Sequence, residues 1–569
     1  MANRTFDRPV WRGELQRGLA RGVQALAIPH TLLRLLLALS VALIAGYQLK
    51  QFLTWSPEQL TTHGLVIDDA FFYTVLARNF HRFGFLTLDG VIPTNGVQPL
   101  WMGIQILLAG LFPQTDGLLL VARASWLLYV LFALLTVWYV ARGGPRAMLL
   151  ATLAIGGLLL LNARFQQMVV KGLEVPLALC LLILTLQAFE QYARRSRFGP
   201  ARPLWQAAGL GALAALCFLA RTDLFWAALL IGGWLLLRPR RSWKEIVTFG
   251  AAAALLVLPY VALNALTQGG MMPISGRVKL FYMQSFYPTP AAYLASEEWR
   301  GLFSAFAEVI PSPDWLIYLL TYPLIGLGSW LIWRERAARP GLTLLTAVIL
   351  GHVLFMQLVY RELRPYTNYY FAPEALWLGL TLATRMGQQR APRATGALSR
   401  RARVERALPA LIAAACVLVA AFAWIQFKPQ PLDYWVQRVN LAHDMQRIAS
   451  PDERVAAFWP GALAHFSNRQ VIPLDGIIGS QAYFERYVQP GRELDYLRDH
   501  NVRYLAIALY DAPEQILARD EAPGAPTWST IGPQRLWEQR HRLAVRAAAE
   551  RPFATSRGGW YLLELTPLE

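Results

Sequence analysis

The sequence predicts an all-α polytopic membrane bundle of about eleven transmembrane helices. Interfacial helices in its first outer loop and a small extracytoplasmic α/β domain at the C-terminus complete the prediction. Three observations carry it. The 569 residues are 55% hydrophobic and only 16% charged, with a positive mean hydropathy, which is a bilayer composition rather than that of several soluble domains. Apolar runs recur from residue 31 to residue 427, with short basic connections between them. Beyond residue 427 the runs become short and alternate with polar segments. The same composition excludes disordered and collagen-like chains, and the three cysteines, all inside apolar runs, exclude a disulfide framework.

The chain opens with a basic segment, 1–29, carrying Arg4, Arg8, Arg12, Arg17 and Arg21, and then an apolar run over 31–49. A charged start before an apolar run also describes a signal peptide. This run is long and many spans follow it, so it reads as a first span with a cytoplasmic N-terminus. Further apolar runs cover 98–112, 118–141, 147–161, 173–192, 204–220, 224–237, 245–267, 314–333, 341–360, 367–385 and 407–427. Several fall short of the ~20 residues that a perpendicular crossing needs, so charge decides.

The formal charge is +18, from 54 Lys and Arg against 36 Asp and Glu. Most of the excess sits in the connections 142–146, 194–202, 238–244, 334–339 and 385–406. If 98–112 lies along the outer interface, all of these share the cytoplasmic side with the N-terminus; if it crosses, all of them flip. The preference for cytoplasmic Lys and Arg therefore favours the interfacial placement. A charge excess spent on topology needs no nucleic-acid partner.

This topology divides the chain into a transmembrane region, 30–427, and an outer domain, 428–569. The loops 50–117 and 268–313, with the turn 162–172, face outward, and the basic linker 386–406 faces the cytoplasm. In the tail, the short apolar runs at 454–459, 470–474, 504–509 and 560–565 read as strands and Gly491 to His500 as a helix, which is the alternation of one α/β domain.

The chemistry is expected on the outer side. The sharpest signal is Val66-Ile-Asp68-Asp69-Ala-Phe-Phe-Tyr73, where two acids open an apolar-periodic helix. One Asp suffices to cap a helix; a pair among aromatics at a membrane surface suits a carboxylate whose desolvation raises its basicity toward that of a working base. Downstream, Pro93-Thr-Asn95-Gly96 forms a turn that returns polar side chains toward the same surface. The eight histidines show no zinc-protease spacing, and no glycine-rich nucleotide loop occurs.

The Asp pair, the helix Ala70-Phe-Phe-Tyr73 continuing through Ala77-Arg78-Asn79, and Thr94-Asn-Gly-Val-Gln-Pro-Leu-Trp101 together resemble the GT-C superfamily of polyprenyl-phosphate-sugar glycosyltransferases. The likeness is closest to the bacterial branch holding glycosyltransferase family 39 relatives and the cell-wall arabinofuranosyltransferases. Lys171-Gly-Leu-Glu174-Val-Pro-Leu resembles that branch's Gly-Met-Glu-Thr-x-Leu segment, with Leu173 for Met. Ala220-Arg221-Thr-Asp223 resembles its Arg-Pro-Glu turn with two departures, and Gly461 to Gly476 resembles the outer domain of many members. The ordered set covers most of the chain.

The resemblance implies a GT-C fold and an inverting hexosyl- or pentosyltransferase. The enzyme would take a sugar from a polyprenyl-phosphate donor to a hydroxyl of a glycan, lipid or protein acceptor, outside the cytoplasmic membrane, in cell-envelope assembly. It implies Asp68 as general base with Asp69 assisting. Candidates for the donor's phosphate or sugar are Asn95, Arg78, Lys171, Glu174, Arg221, Asp223, Arg277, Lys279 and Arg364, and Arg82, Arg164 and Arg361 share the expected face. A basic residue at a span end also snorkels to headgroups without any role in binding. Two Asp and a phosphate would suit a divalent cation, Mg²⁺ or Mn²⁺, and because members of the superfamily differ in metal use the resemblance leaves the metal open. The alternative is a lipid or sugar transporter. It would place ionisable groups and broken helices near mid-membrane, often in repeated halves, and no such repeat is visible. A glycan polymerase or ligase of another fold would not need the early Asp pair.

Overall fold

The computed structural model describes residues 50–140, 162–196, 203–239, 241–296, 339–361, 368–387, 430–509, 513–518, 531–538, 543–554 and 558–567, with a few positions between them. The basic N-terminus, the expected spans at 31–49 and 407–427, most of those at 147–161 and 314–333, nearly all of the linker 386–406, and Arg364 lie outside the described residues.

The first outer loop is helical. A single turn, Pro57–Thr62, is closed at its start by Ser56 and Gln59 in a reciprocal capping box. Helix α1, Asp68–Phe83, follows with both acids in its first turn and His81 and Arg82 in its last, each sign at its favoured end of the helix dipole. It stops at Gly84, whose φ of +82° suits a residue without a Cβ. Helix α2, Pro99–Leu111, has 13 residues. At 1.5 Å per residue it reaches about 20 Å, short of the ~30 Å hydrocarbon core. Its Leu107 and Leu111 are exposed, the surface that a helix lying at the interface presents to lipid.

Among the described residues, four helices are long and apolar enough to cross a bilayer: α3, Gly117–Val140; α4, Val175–Arg195 within Val175–Ser196; α7, Trp243–Gln268; and α9, Pro340–Leu354, continued by a wide turn to Tyr360. Between α4 and α7 stand the shorter apolar helices α5, Leu204–Ala220, and α6, Phe225–Leu237. After α7 come α8, Ile274–Phe286, and, beyond α9, α10, Ala372–Gly387. Each matches an expected apolar run except α8, which falls in the outer loop 268–313. Helix α7 packs on α5 and α6 and leaves Leu255, Leu258 and Leu266 exposed, as a helix bordered by lipid tails does.

The C-terminal part is α/β. Helix α11, Asp433–Ile448, precedes β1, Val455–Ala457; α12, Gly461–Ser467; β2, Val471–Pro473; α13, Glu493–Asp499; and β3, Tyr504–Leu509. Two longer strands, β4, Leu543–Pro552, and β5, Gly559–Pro567, finish it. The sheet order is β2-β1-β3-β5-β4, parallel on the β2-β1-β3 side and antiparallel beyond. All four expected strands are present. The alanine-rich β4 was not expected. Helix α12 packs against α1, so this domain sits directly on the carboxylate pair.

Candidate active site

Successive residues of a helix point about 100° apart, and the first turn of α1 uses that angle to separate its two acids. Asp68 is buried against the outer domain. Its carboxylate accepts from Arg438 Nη2 at 2.6 Å, the Ala462 amide at 2.9 Å and the Gly461 amide at 3.3 Å. A Cβ on Gly461 would stand 2.5 Å from the Asp68 carbonyl oxygen, so only glycine admits this approach. Arg438 is itself buried, lies about 5 Å from the Trp435 and Trp560 rings, and also donates to the Trp459 carbonyl.

Behind this clamp lies a third acid. Asp475, at the end of β2, is buried and accepts from the Ile477 amide at 3.0 Å and the Trp459 amide at 3.4 Å. Burial, offset in part by these amides and reinforced by the charges of Asp68 and Asp69, pushes its carboxyl up to about 7.

Asp69 faces the other way, into a cavity of about 50 Å³ that it shares with Tyr73, Glu174, Lys279, Tyr369 and Tyr370 and that the outer domain closes with Ile477. Tyr369 donates its hydroxyl to Asp69 Oδ2 at 2.9 Å. Lys279 Nζ donates to the Tyr370 hydroxyl at 3.0 Å. Tyr73 donates to Glu174 Oε2 at 3.0 Å and accepts from the Gln98 amide at 3.2 Å. The first outer loop, the turn before α4, helix α8 and the segment before α10 thus meet in one polar cleft with two carboxylates, an ammonium and three phenols.

Beneath the cleft runs a ladder of buried charges. Arg221, almost wholly buried, grips Asp223 through Nε at 3.1 Å and Nη2 at 2.6 Å and reaches Glu174 at 3.5 Å. Its guanidinium lies 4.8 Å from the Tyr370 ring. Asp223 meets His352 Nε2 at 3.2 Å, and His352 Nδ1 meets Glu374 at 2.6 Å. The ladder ties the starts of α4 and α6 to α9 and α10. A buried charge is tolerable only when paired, so each rung fixes the next.

Of the residues singled out in the sequence, Asp69, Glu174 and Lys279 line the cleft, and Arg221 and Asp223 support it from below. Asn95 pins α8 to the first loop by accepting from the Ile274 amide at 2.9 Å, and the adjacent Gly96 lies so close to the outer domain that a Cβ would meet the Ile477 carbonyl at 2.2 Å. Arg78 lies on a different face of α1. Arg277 is exposed and stands 3.8 Å from Glu485. Neither these two nor Lys171, Arg82 and Arg361 line the cleft. The sequence reading missed Tyr369, Tyr370, His352, Glu374 and Arg438. The tyrosines carried one signal, an aromatic pair opening an apolar run after a basic loop. The others carried none.

Among the described residues, no three His, Cys, Asp or Glu side chains gather as a metal site. Glu174 is held by Tyr73 and Arg221, whereas Asp69 accepts the Tyr369 hydroxyl.

No protein-family model matches this sequence, and no curated protein matches it. Solved structures do. ArnT from Cupriavidus metallidurans bound to undecaprenyl phosphate aligns over 93% of this chain and 97% of its own, at 13% identity and a TM-score of 0.52; its apo state aligns equally well. The apo oligosaccharyltransferase of Archaeoglobus fulgidus aligns over 84% of this chain and 70% of its own, at 14% identity and a TM-score of 0.52. At these identities the likeness is one of fold. It agrees with the GT-C architecture that the sequence resemblance implies.

Proposed function

We propose that this protein is an integral-membrane glycosyltransferase that moves a sugar from a polyprenyl-phosphate donor to an acceptor hydroxyl at the extracytoplasmic surface, in cell-envelope glycan or glycoconjugate assembly. A fold does not determine a reaction, so the reading rests on one observation: Asp69, Glu174 and Lys279 converge in a cleft lined by hydroxyls. The relatives of this fold named above include one that holds undecaprenyl phosphate, which is the donor chemistry the cleft suits.

In this reading Asp69 is the base and Asp68 the anchor, an exchange of the roles expected from the sequence resemblance. Asp68 already accepts three hydrogen bonds from the outer domain, whereas Asp69 accepts the Tyr369 hydroxyl at one oxygen and turns to the cavity. The acceptor oxygen attacks the anomeric carbon as its proton passes to Asp69. The bond from that carbon to the lipid phosphate breaks, and the phosphate leaves with the electron pair. Attack opposite the leaving group inverts the anomeric carbon. Lys279 and Tyr370 supply donors where charge gathers on the departing phosphate. Glu174, held by Tyr73 and Arg221, offers acceptor oxygens to the sugar hydroxyls. No step runs through a metal ion. A cavity of about 50 Å³ is far below the ~300 Å³ of small ligand pockets, so donor binding opens the cleft.

The test is transfer from labelled polyprenyl-phosphate sugars in proteoliposomes. Asp69→Asn is expected to cut turnover by about 10²- to 10⁴-fold while the donor still binds. A second reading draws on the ladder from Glu174 to Glu374, since ionisable groups among spanning helices also mark transport paths. Protein-dependent movement of lipid-linked sugar between leaflets, with no transfer from any donor, would select the transporter.

A further inference from the structure

A second cavity, of about 480 Å³, opens on the other side of α1. Asp69 and Tyr73 face the first cleft, whereas Arg78, about half a turn round the helix from Asp69, and His81 face this one. Gln105 of α2, Phe112, Asp116 and His465 of α12 complete the wall. Its volume lies in the range that holds whole ligands, and nothing in the proposed reaction uses it.

The wall is asymmetric. Asp116 is already engaged, capping α3 through the Leu118 amide at 2.8 Å and facing His465 at 3.5 Å. Arg78 meets the neutral amide oxygen of Asn468 at 3.1 Å and has no carboxylate partner among the described residues. Its side chain has open surface yet is crowded by protein, and that desolvation, with Arg82 nearby, holds its pKa below the ordinary arginine value. Gln105 is 98% buried, and its Nε2 has no hydrogen-bond acceptor among the described residues. A guanidinium that Asp116 reaches only through space and an unused buried amide donor on one wall suit an anion with several acceptor oxygens. Ala109 and, just past α2, the exposed Phe112 give the cavity an apolar edge beside the polar wall, and the same helix exposes Leu107 and Leu111 on its other side.

We infer that this cavity is a second ligand site, separate from the transfer cleft, which takes the phosphate headgroup of a net-anionic membrane lipid. Arg78 and Gln105 hold the phosphate oxygens, and α2 receives the first acyl carbons. The apolar edge selects a lipid headgroup over free phosphate, which has no use for it.

The experiment is a binding titration of the full chain in detergent with dioctanoyl phosphatidic acid, dioctanoyl phosphatidylcholine and inorganic phosphate, read by native mass spectrometry. One phosphatidic acid is expected to bind saturably. Arg78→Gln should weaken it by about ten- to a hundredfold, the scale of a lost charge-assisted hydrogen bond, and Gln105→Leu by a smaller factor. Phosphatidylcholine should bind far more weakly, and millimolar inorganic phosphate should not displace the lipid. Equal binding by both variants and wild type, or equal binding of the two lipids, overturns the site. Displacement by inorganic phosphate at the lipid's own concentration overturns the lipid assignment in favour of free phosphate. Gln105→Leu keeps every charge and the helix, so it carries the test if Arg78→Gln does not fold.

Discussion

Asp68 and Asp69 are sequence neighbours that serve two regions with opposite physics. Around Asp68, every oxygen is satisfied by an arginine and two amides, and glycine at 461 lets the outer domain close to van der Waals contact. Around Asp69, one hydroxyl approaches and the rest of the carboxylate faces a cavity. The first region spends its hydrogen bonds on joining two parts of the molecule. The second leaves most of them facing the cavity. An adjacent acid pair therefore divides, through helix geometry, into one acid anchored by the C-terminal domain and one facing the cavity, with the clamp at Asp68 next to Asp69 in the chain.

The largest effect expected is on turnover. Asp69→Asn keeps the acceptor for Tyr369 and removes the proton acceptor, so kcat should fall by about 10²- to 10⁴-fold with little change in thermal transition. The opposite result, full activity in Asp69→Asn and loss in a stably folded Asp68→Asn, would return the base to Asp68.

The converse region should show its effect in stability. Asp68→Ala strands Arg438, and Arg438→Met strands Asp68; breaking a buried pair from one side costs about 3–5 kcal/mol. Both single variants should lower the unfolding midpoint, measured by the denaturation of detergent-solubilised protein. The double variant should recover part of the loss, because it leaves no buried charge without a partner. A double variant as unstable as the sum of the two singles would show that the pair is not the clamp.

How far these regions could be read beforehand follows the same division. The long helices 117–140, 175–196 and 243–268 were legible because apolarity over a run of residues is a local property. Strand β4 was not: its Ala, Glu and Arg residues favour helix, and it is an edge strand that exists through its pairing with β5. In the site, Asp69, Glu174 and Lys279 stood in motifs or in a conspicuous basic loop. The clamp lay out of sight because Arg438 is 370 residues from Asp68, and Tyr369 is 300 residues from Asp69. His352 read as part of an apolar run until Asp223 and Glu374 were found on either side of it.

A smaller effect, of a few °C, should separate the two regions by pH. Asp475 stands behind the clamp with its carboxyl raised to about 7 by burial and by the neighbouring charges of Asp68 and Asp69, against about 4 for the unfolded chain. Between those values the folded protein binds the extra proton, so this acid's contribution to stability is full below about pH 4, falls as pH rises, and is flat above about 7. Asp475→Asn removes the titration. Relative to wild type, the variant should lose less stability between pH 5 and pH 8 in thermal denaturation. Identical slopes would mean that Asp475 ionises without hindrance and that the space behind the clamp is wetter than its burial implies.

The smallest effect distinguishes the two cations of α8. Lys279 lines the cleft and donates to Tyr370, while Arg277, two residues earlier and on the opposite face, stands exposed at 3.8 Å from Glu485. An exposed pair at that distance is worth about 0–1 kcal/mol, so Arg277→Ala should leave donor affinity, kcat and the unfolding midpoint within about twofold or 1 kcal/mol of wild type. Lys279→Met at the same assay should lose turnover more than donor affinity, because its ammonium acts on charge that develops as the phosphate departs. If Arg277→Ala instead weakens donor binding as strongly as Lys279→Met weakens turnover, the phosphate sits nearer the outer edge of α8, and the cleft at Asp69 extends beyond the residues that now line it.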